Sequence, residues 1–118
     1  MTIPDGVKNI DDYAFHGCSG LSSVTIGNGV TNIGNWAFYN CRGLESVTIG
    51  DSLTNIGDLA FYSCIVLTSV EFEGNAPTVG EQAFIGVASG CKAVISSTAT
   101  GFPAAGETWN GLVVEVKS

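Results

Sequence analysis

Residues 26–48, IGNGVTNIGNWAFYNCRGLESVT, and residues 49–71, IGDSLTNIGDLAFYSCIVLTSVE, lie end to end and align without a gap. Residues 3–25, IPDGVKNIDDYAFHGCSGLSSVT, supply another copy of the same 23-residue length. A partial copy over 72–86, FEGNAPTVGEQAFIG, follows before the register is lost, with Val87 where a cysteine is expected and Gly90 where a leucine is. A fixed period of this size outranks any residue-level signal, because it means that one short unit is stacked on itself.

Each recurring position has a physical job. Four columns are apolar in every copy: Ile3, Ile26, Ile49 and Phe72; Val7, Val30, Leu53 and Ala76; Ile10, Ile33, Ile56 and Val79; Phe15, Phe38, Phe61 and Phe84. With Leu21, Leu44 and Leu67, and Val24, Val47 and Val70, they form the expected core. The L-x-x-V-x-I string alternates as a strand does, which predicts short strands at Ser23–Thr25, Ser46–Thr48 and Ser69–Glu71. Asp5-Gly6, Asn28-Gly29, Asp51-Ser52 and Gly74-Asn75 are turn formers. Asp12, Asn35, Asp58 and Glu81 precede the Ala-Phe pair, where the first three read as caps of one helical turn closed by Gly17, Asn40, Ser63 and Gly86. Each copy is thus expected to run strand, turn, extended arm, helical turn, loop, with the strands of successive copies joined in a parallel sheet.

From residue 87 onward the pattern changes, and 87–118 reads as a C-terminal capping segment on an array spanning 1–86. Val94–Ser96 and Leu112–Val116 are its expected strands, and Phe102, Pro103 and Trp109 its cover over the open core. Nothing precedes the first strand at Ile3, so that edge is expected to be exposed or to pair with another chain.

The pattern I-x-x-x-V-x-x-I-x-x-x-A-F-x-x-C-x-x-L-x-x-V-x resembles the BspA-type leucine-rich repeat, the class also associated with treponemal surface proteins. The resemblance covers residues 3 to about 86, and the tail with Trp109, Leu112 and Glu115 resembles the closing segment of such arrays. It implies a curved, right-handed, mostly β leucine-rich-repeat solenoid of α/β type, with a short parallel sheet and helical turns opposite. It also implies a secreted or cell-surface location, bacterial or protozoan, and adhesion to host proteins or cells. The family defines no catalytic residues, so none is carried over.

Composition narrows the function independently. The formal charge of −7, from four Lys+Arg against eleven Asp+Glu, would repel phosphate backbones and anionic lipid, so nucleic acid is not an expected partner. No run of about eighteen apolar residues is present for bilayer insertion, and Met1-Thr2-Ile3-Pro4 lacks the basic start and apolar stretch of a signal peptide. The opening in mid-pattern has the look of a piece cut from a longer protein. Cys18, Cys41 and Cys64 recur at the repeat interval and form a column of small buried thiols instead of a C-x-x-C metal clamp. Cys91 is expected to be partly exposed and the readier site of oxidation or crosslinking. Asp51, Glu71 and Glu73 could approach a calcium ion, yet isolated surface carboxylates ordinarily face water. No G-x-S-x-G, H-E-x-x-H or Walker loop occurs, and Gly27-Asn28-Gly29 lies in a repeat turn. No enzyme, cofactor or metal is expected.

Two surfaces remain. Ser22, Ser23, Thr25, Glu45, Ser46, Thr48, Thr68, Ser69 and Glu71 point outward from the strands and make the first candidate binding face. Tyr13, Trp36, Tyr39 and Tyr62 on the turn side, with Leu59 beside them, make the second. The reading is a non-catalytic protein-binding or adhesion module with a protein ligand, and its alternative is a structural spacer in a larger surface protein.

Overall fold

In a computed structural model that describes residues 1–117, every copy contributes two strands, one to each of two sheets. β1 (Thr2–Ile3), β3 (Ser23–Ile26), β5 (Ser46–Ile49), β7 (Ser69–Phe72), β9 (Lys92–Ile95), β11 (Leu112–Val116) and β10 (Thr108–Trp109) lie in that order in the larger sheet. β2 (Asn9–Ile10), β4 (Asn32–Ile33), β6 (Asn55–Ile56) and β8 (Thr78–Val79) form the smaller one. All pairings are parallel except that of β10 with β11. The molecule is a mostly β solenoid of about five turns.

The register follows the repeat. Val24 lies beside Val47, Val47 beside Val70, and Val70 beside Ala93, so identical positions of successive copies are neighbours. Alternation then sorts the strands: in β3 Ser23 and Thr25 are exposed while Val24 and Ile26 are buried. The six apolar columns fill one continuous core in which Ile33, Phe38, Leu44, Ile56, Phe61, Leu67 and Val70 are completely buried. Phe15, Phe38, Phe61 and Phe84 stack in a file with centroids 5.2, 5.0 and 5.3 Å apart and planes within 13°. Partial exposure is confined to the ends of the columns, at Val7, Phe15, Leu21, Ala76 and Val79.

The helical turn expected between arm and loop is not formed, because the backbone there serves the neighbouring copies. Alternate amides bond to the next turn of the solenoid: Tyr13 N–H to Asn35 C=O at 3.1 Å, Phe15 to Ala37 at 2.8 Å and Gly17 to Tyr39 at 2.8 Å. Those between them close local three-residue turns, Ala14 to Asp11 and His16 to Tyr13, both at 3.1 Å. A helix would need every amide for its own i−4 carbonyl. The geometry requires left-handed backbone at Tyr13 (φ 63°), Trp36 (63°), Leu59 (54°) and Gln82 (57°), and again at Gly17, Asn40, Ser63 and Gly86. The cap assignment changes with it. Asp12 Oδ1 accepts the N–H of Asn35 (2.8 Å), Asn35 Oδ1 that of Asp58 (2.8 Å) and Asp58 Oδ1 that of Glu81 (2.9 Å), so these side chains join successive turns.

A second polar ladder stands on the arm. Asn32 Nδ2 donates to Asn9 Oδ1, and Asn55 Nδ2 to Asn32 Oδ1, both at 2.7 Å. Beside it, Gly34 and Gly57 pack so closely on the previous turn that a Cβ on either would lie 2.5 Å from the Asp12 or Asn35 side-chain oxygen. Glycine is the residue this approach allows.

The tail extends the sheet instead of forming a separate cap. β9 keeps the 23-residue offset, Ser69 opposite Lys92, and begins two residues before the expected Val94. β11 then adds Leu112–Val116 beside β9, and the short antiparallel β10 lies against β11. Phe102 and Trp109 do reach the core, with ring centroids 5.4 and 5.2 Å from Phe72. Ser118, the last residue of the expected cap, lies outside the described residues.

Candidate functional site

Parallel register gathers the nine predicted strand positions into one surface. Ser23, Ser46 and Ser69 make one column and Thr25, Thr48 and Glu71 the next. Ser22, Glu45 and Thr68 make a third, tied by Glu45 N–H to Ser22 C=O at 2.8 Å and Thr68 N–H to Glu45 C=O at 2.9 Å. Ser22, Ser23, Thr25, Glu45 and Thr68 are exposed, and the other four are half-buried. The face is flat, rich in short hydroxyls and held rigidly by the ladder beneath. Its other end is different: Glu71 is engaged by Lys117 Nζ at 2.9 Å, and Lys92 pairs with Glu115 at 2.7 Å. The hydrogen bond that Lys117 donates to the Glu71 carboxylate raises its amine above the ordinary value. Lys92, Glu115 and Lys117 belong to the irregular tail, so no recurring position marked them as partners.

The four predicted turn-side aromatics also come together, and His16 joins them. Tyr13 stacks on Trp36 at 5.8 Å, while His16, Tyr39 and Tyr62 form a second file at 5.1 and 5.4 Å. Trp36 and Tyr39 link the two files at 4.8 Å. Tyr13 is 56% exposed, His16 is exposed, and Leu59 is half-buried in the Tyr13 column. His16 was detectable in the repeat alignment, since its counterparts are Tyr39 and Tyr62.

Cys18, Cys41, Cys64 and Cys91 are free thiols. The Sγ of Cys41 donates to Phe15 C=O and that of Cys64 to Phe38 C=O, both at 3.1 Å. Cys91, expected to be partly exposed, is 1% exposed. Burial pushes its thiol up to about 11, and the side-chain contact with Cys41, joined by burial, raises that of Cys64. Cys18, in the first turn, is the half-exposed one.

The first turn ends in a concavity of about 370 Å³ bordered by Met1, Ile3, Val7, Ile10 and Phe15. Among the described residues no three His, Cys, Asp or Glu side chains converge as a metal site would require, and no helix is long and apolar enough to cross a membrane.

No curated protein matches the chain. The crystal structure of the T. pallidum leucine-rich repeat protein is similar at 26% identity and a TM-score of 0.46, over 80% of this chain. The chain spans 57% of that protein's length. The family model described as the BspA type leucine-rich repeat region matches residues 1–104 in 6 copies. The solenoid, its period and its columns therefore have a common basis: the chain belongs to the BspA-type leucine-rich repeat family.

Proposed function

We propose that the chain is a non-catalytic protein-binding module of a secreted or cell-surface adhesin, and that it binds through the sheet face. The observation that carries this reading is the register itself, which holds Ser23, Ser46 and Ser69, with Thr25 and Thr48 beside them, as a rigid array on one surface. A flat polar face of this kind suits recognition of another protein, strengthened by repetition, better than it suits a small ligand, which needs a concave pocket. The surplus of carboxylates disfavours nucleic acid and anionic bilayers as partners. Family membership supports the surface location. β1, the outermost strand of the larger sheet, offers an edge for pairing with another copy, which light scattering on the purified chain reports directly.

The test is binding of the isolated chain to immobilised host matrix proteins and to whole cells, beside a Ser46→Arg/Thr48→Arg variant. Both side chains point outward from the ladder, so the variant is expected to fold and to lose affinity. A native chain that binds nothing assigns it instead to the spacer reading, with function held by other domains.

A further inference from the structure

Asparagine followed by glycine occurs at Asn28-Gly29 and again at Asn110-Gly111, and the fold treats the two differently. Such a pair reacts with itself in water, because glycine has no side chain to keep its amide nitrogen from the preceding carboxamide carbon. At Asn28 the solenoid stands in the way. Asn28 Oδ1 accepts the N–H of Asp51 at 3.0 Å, and the Gly29 backbone presses on the previous turn so closely that a Cβ there would overlap Asp5 C=O. Asn110 and Gly111 are under no such restraint. Both are exposed, the Asn110 carboxamide has no hydrogen-bond partner among the described residues, and a Cβ built on Gly111 would meet nothing within 4 Å.

The turn that carries them has a task. Trp109 and Leu112 face each other across β10 and β11, so Asn110 and Gly111 alone make the reversal, with φ of 50° and 85°. Positive φ at both central residues is the turn that matches the twist of a hairpin. Through it β10 closes the end of the larger sheet beyond β11, with Val114 N–H on Glu107 C=O at 2.9 Å and Gly106 N–H on Val114 C=O at 2.8 Å. It also seats Trp109, whose ring centroid lies 5.2 Å from that of Phe72 and 4.8 Å from that of Phe102.

We infer that Asn110 is a site of spontaneous conversion to isoaspartate, and that this conversion releases β10. The Gly111 backbone nitrogen gives its proton to hydroxide and bonds to Asn110 Cγ. The side-chain nitrogen takes a proton from water and leaves as ammonia, and a five-membered imide remains. Water then adds to one imide carbonyl and breaks its C–N bond, so the sum is asparagine plus water giving an acid plus ammonia, with no change of oxidation state. Breaking the bond to Cγ gives aspartate on the original main chain. Breaking the bond to the backbone carbonyl carbon gives isoaspartate, whose main chain runs through Cβ and Cγ. The two products differ at the turn. Aspartate tolerates the positive φ that asparagine holds there, so β10 stays. Isoaspartate adds a methylene carbon to the main chain of a two-residue loop, which then cannot hold Trp109 opposite Leu112.

The experiment ages the full chain at mildly alkaline pH and physiological temperature, with peptide mapping by electron-transfer fragmentation and ¹H–¹⁵N spectra at intervals. Isoaspartate is expected at Asn110 first, with Asn28 converting about tenfold more slowly, since its bond to Asp51 must break before the ring can close. A second Trp109 indole N–H signal is expected to grow in step with isoaspartate, while the Trp36 indole stays in place. Asn110→Gly keeps a turn of positive φ and removes the carboxamide, so its Trp109 signal is expected to stay single on ageing. Freshly prepared Asn110→Asp is expected to melt as the native chain does. Conversion of Asn28 as fast as Asn110, an Asn110 that does not convert, a second Trp109 signal in aged Asn110→Gly, or isoaspartate that leaves the Trp109 signal unmoved would each overturn the inference.

Discussion

Replacing Phe38 by alanine strikes the file of rings at its best-packed point. The side chain is 0% exposed and lies between Phe15 at 5.2 Å and Phe61 at 5.0 Å, nearly parallel to both. Truncating a buried phenylalanine costs about 3–5 kcal/mol. Two stacked partners and no accessible surface place this site near the upper end, about 4–5 kcal/mol. A domain of this size holds about 5–15 kcal/mol in total, so the variant is left close to unfolding. Phe15, half-buried with one stacked neighbour in the file, is expected to cost about 1–2 kcal/mol when truncated. Urea unfolding followed by circular dichroism reads both: with a slope of about 1.5 kcal/mol per molar, the Phe38→Ala midpoint falls by about 3 M and the Phe15→Ala midpoint by about 1 M. Equal losses at the two positions, or a Phe38 loss below about 1 kcal/mol, would refute the stacked file.

Gly57→Ala places a methyl group 2.5 Å from Asn35 Oδ1 and is expected to lose about 1–3 kcal/mol in the same assay, although its backbone is not left-handed. Asn32→Ala removes the centre of the asparagine ladder and is expected to cost about 1–3 kcal/mol, more than Asn9→Ala at its exposed end. Thr48→Ala leaves the melting temperature within about a degree of native, since the side chain faces outward from β5. A maleimide at neutral pH modifies Cys18 first, and Cys41, Cys64 and Cys91 only on addition of denaturant; rapid native labelling of Cys91 would contradict its burial.

What the sequence disclosed and what it hid divide along the repeat. Residues that recur at 23 declared their columns: Ile26, Phe38, Leu44 and Val47 could be named as core because Ile49, Phe61, Leu67 and Val70 repeat them. Both candidate surfaces were legible for the same reason. The second sheet was not, because two-residue strands such as Asn32–Ile33 are too short to alternate. The turn between arm and loop misled for a more instructive reason. An Asp or Asn before Ala-Phe looks like a helix cap, and neither Tyr13 nor Trp36 announces a positive φ, which bulky residues seldom adopt. Stacking holds them there, since each such residue's amide finds its carbonyl on the adjoining turn. The same logic hid Cys91 and the Lys117–Glu71 pair: outside the repeat no column existed to place them.

The account rests on hydrogen bonds that pass from one copy to the next at the turn. A through-bond ¹⁵N–¹³C′ coupling across the hydrogen bond of the Phe38 amide measures this directly. The structure predicts a correlation with the Ala60 carbonyl, 2.7 Å away on the following copy. A correlation with Gly34, the i−4 residue, would mean that the segment is a helix and that the copies are not joined in this way.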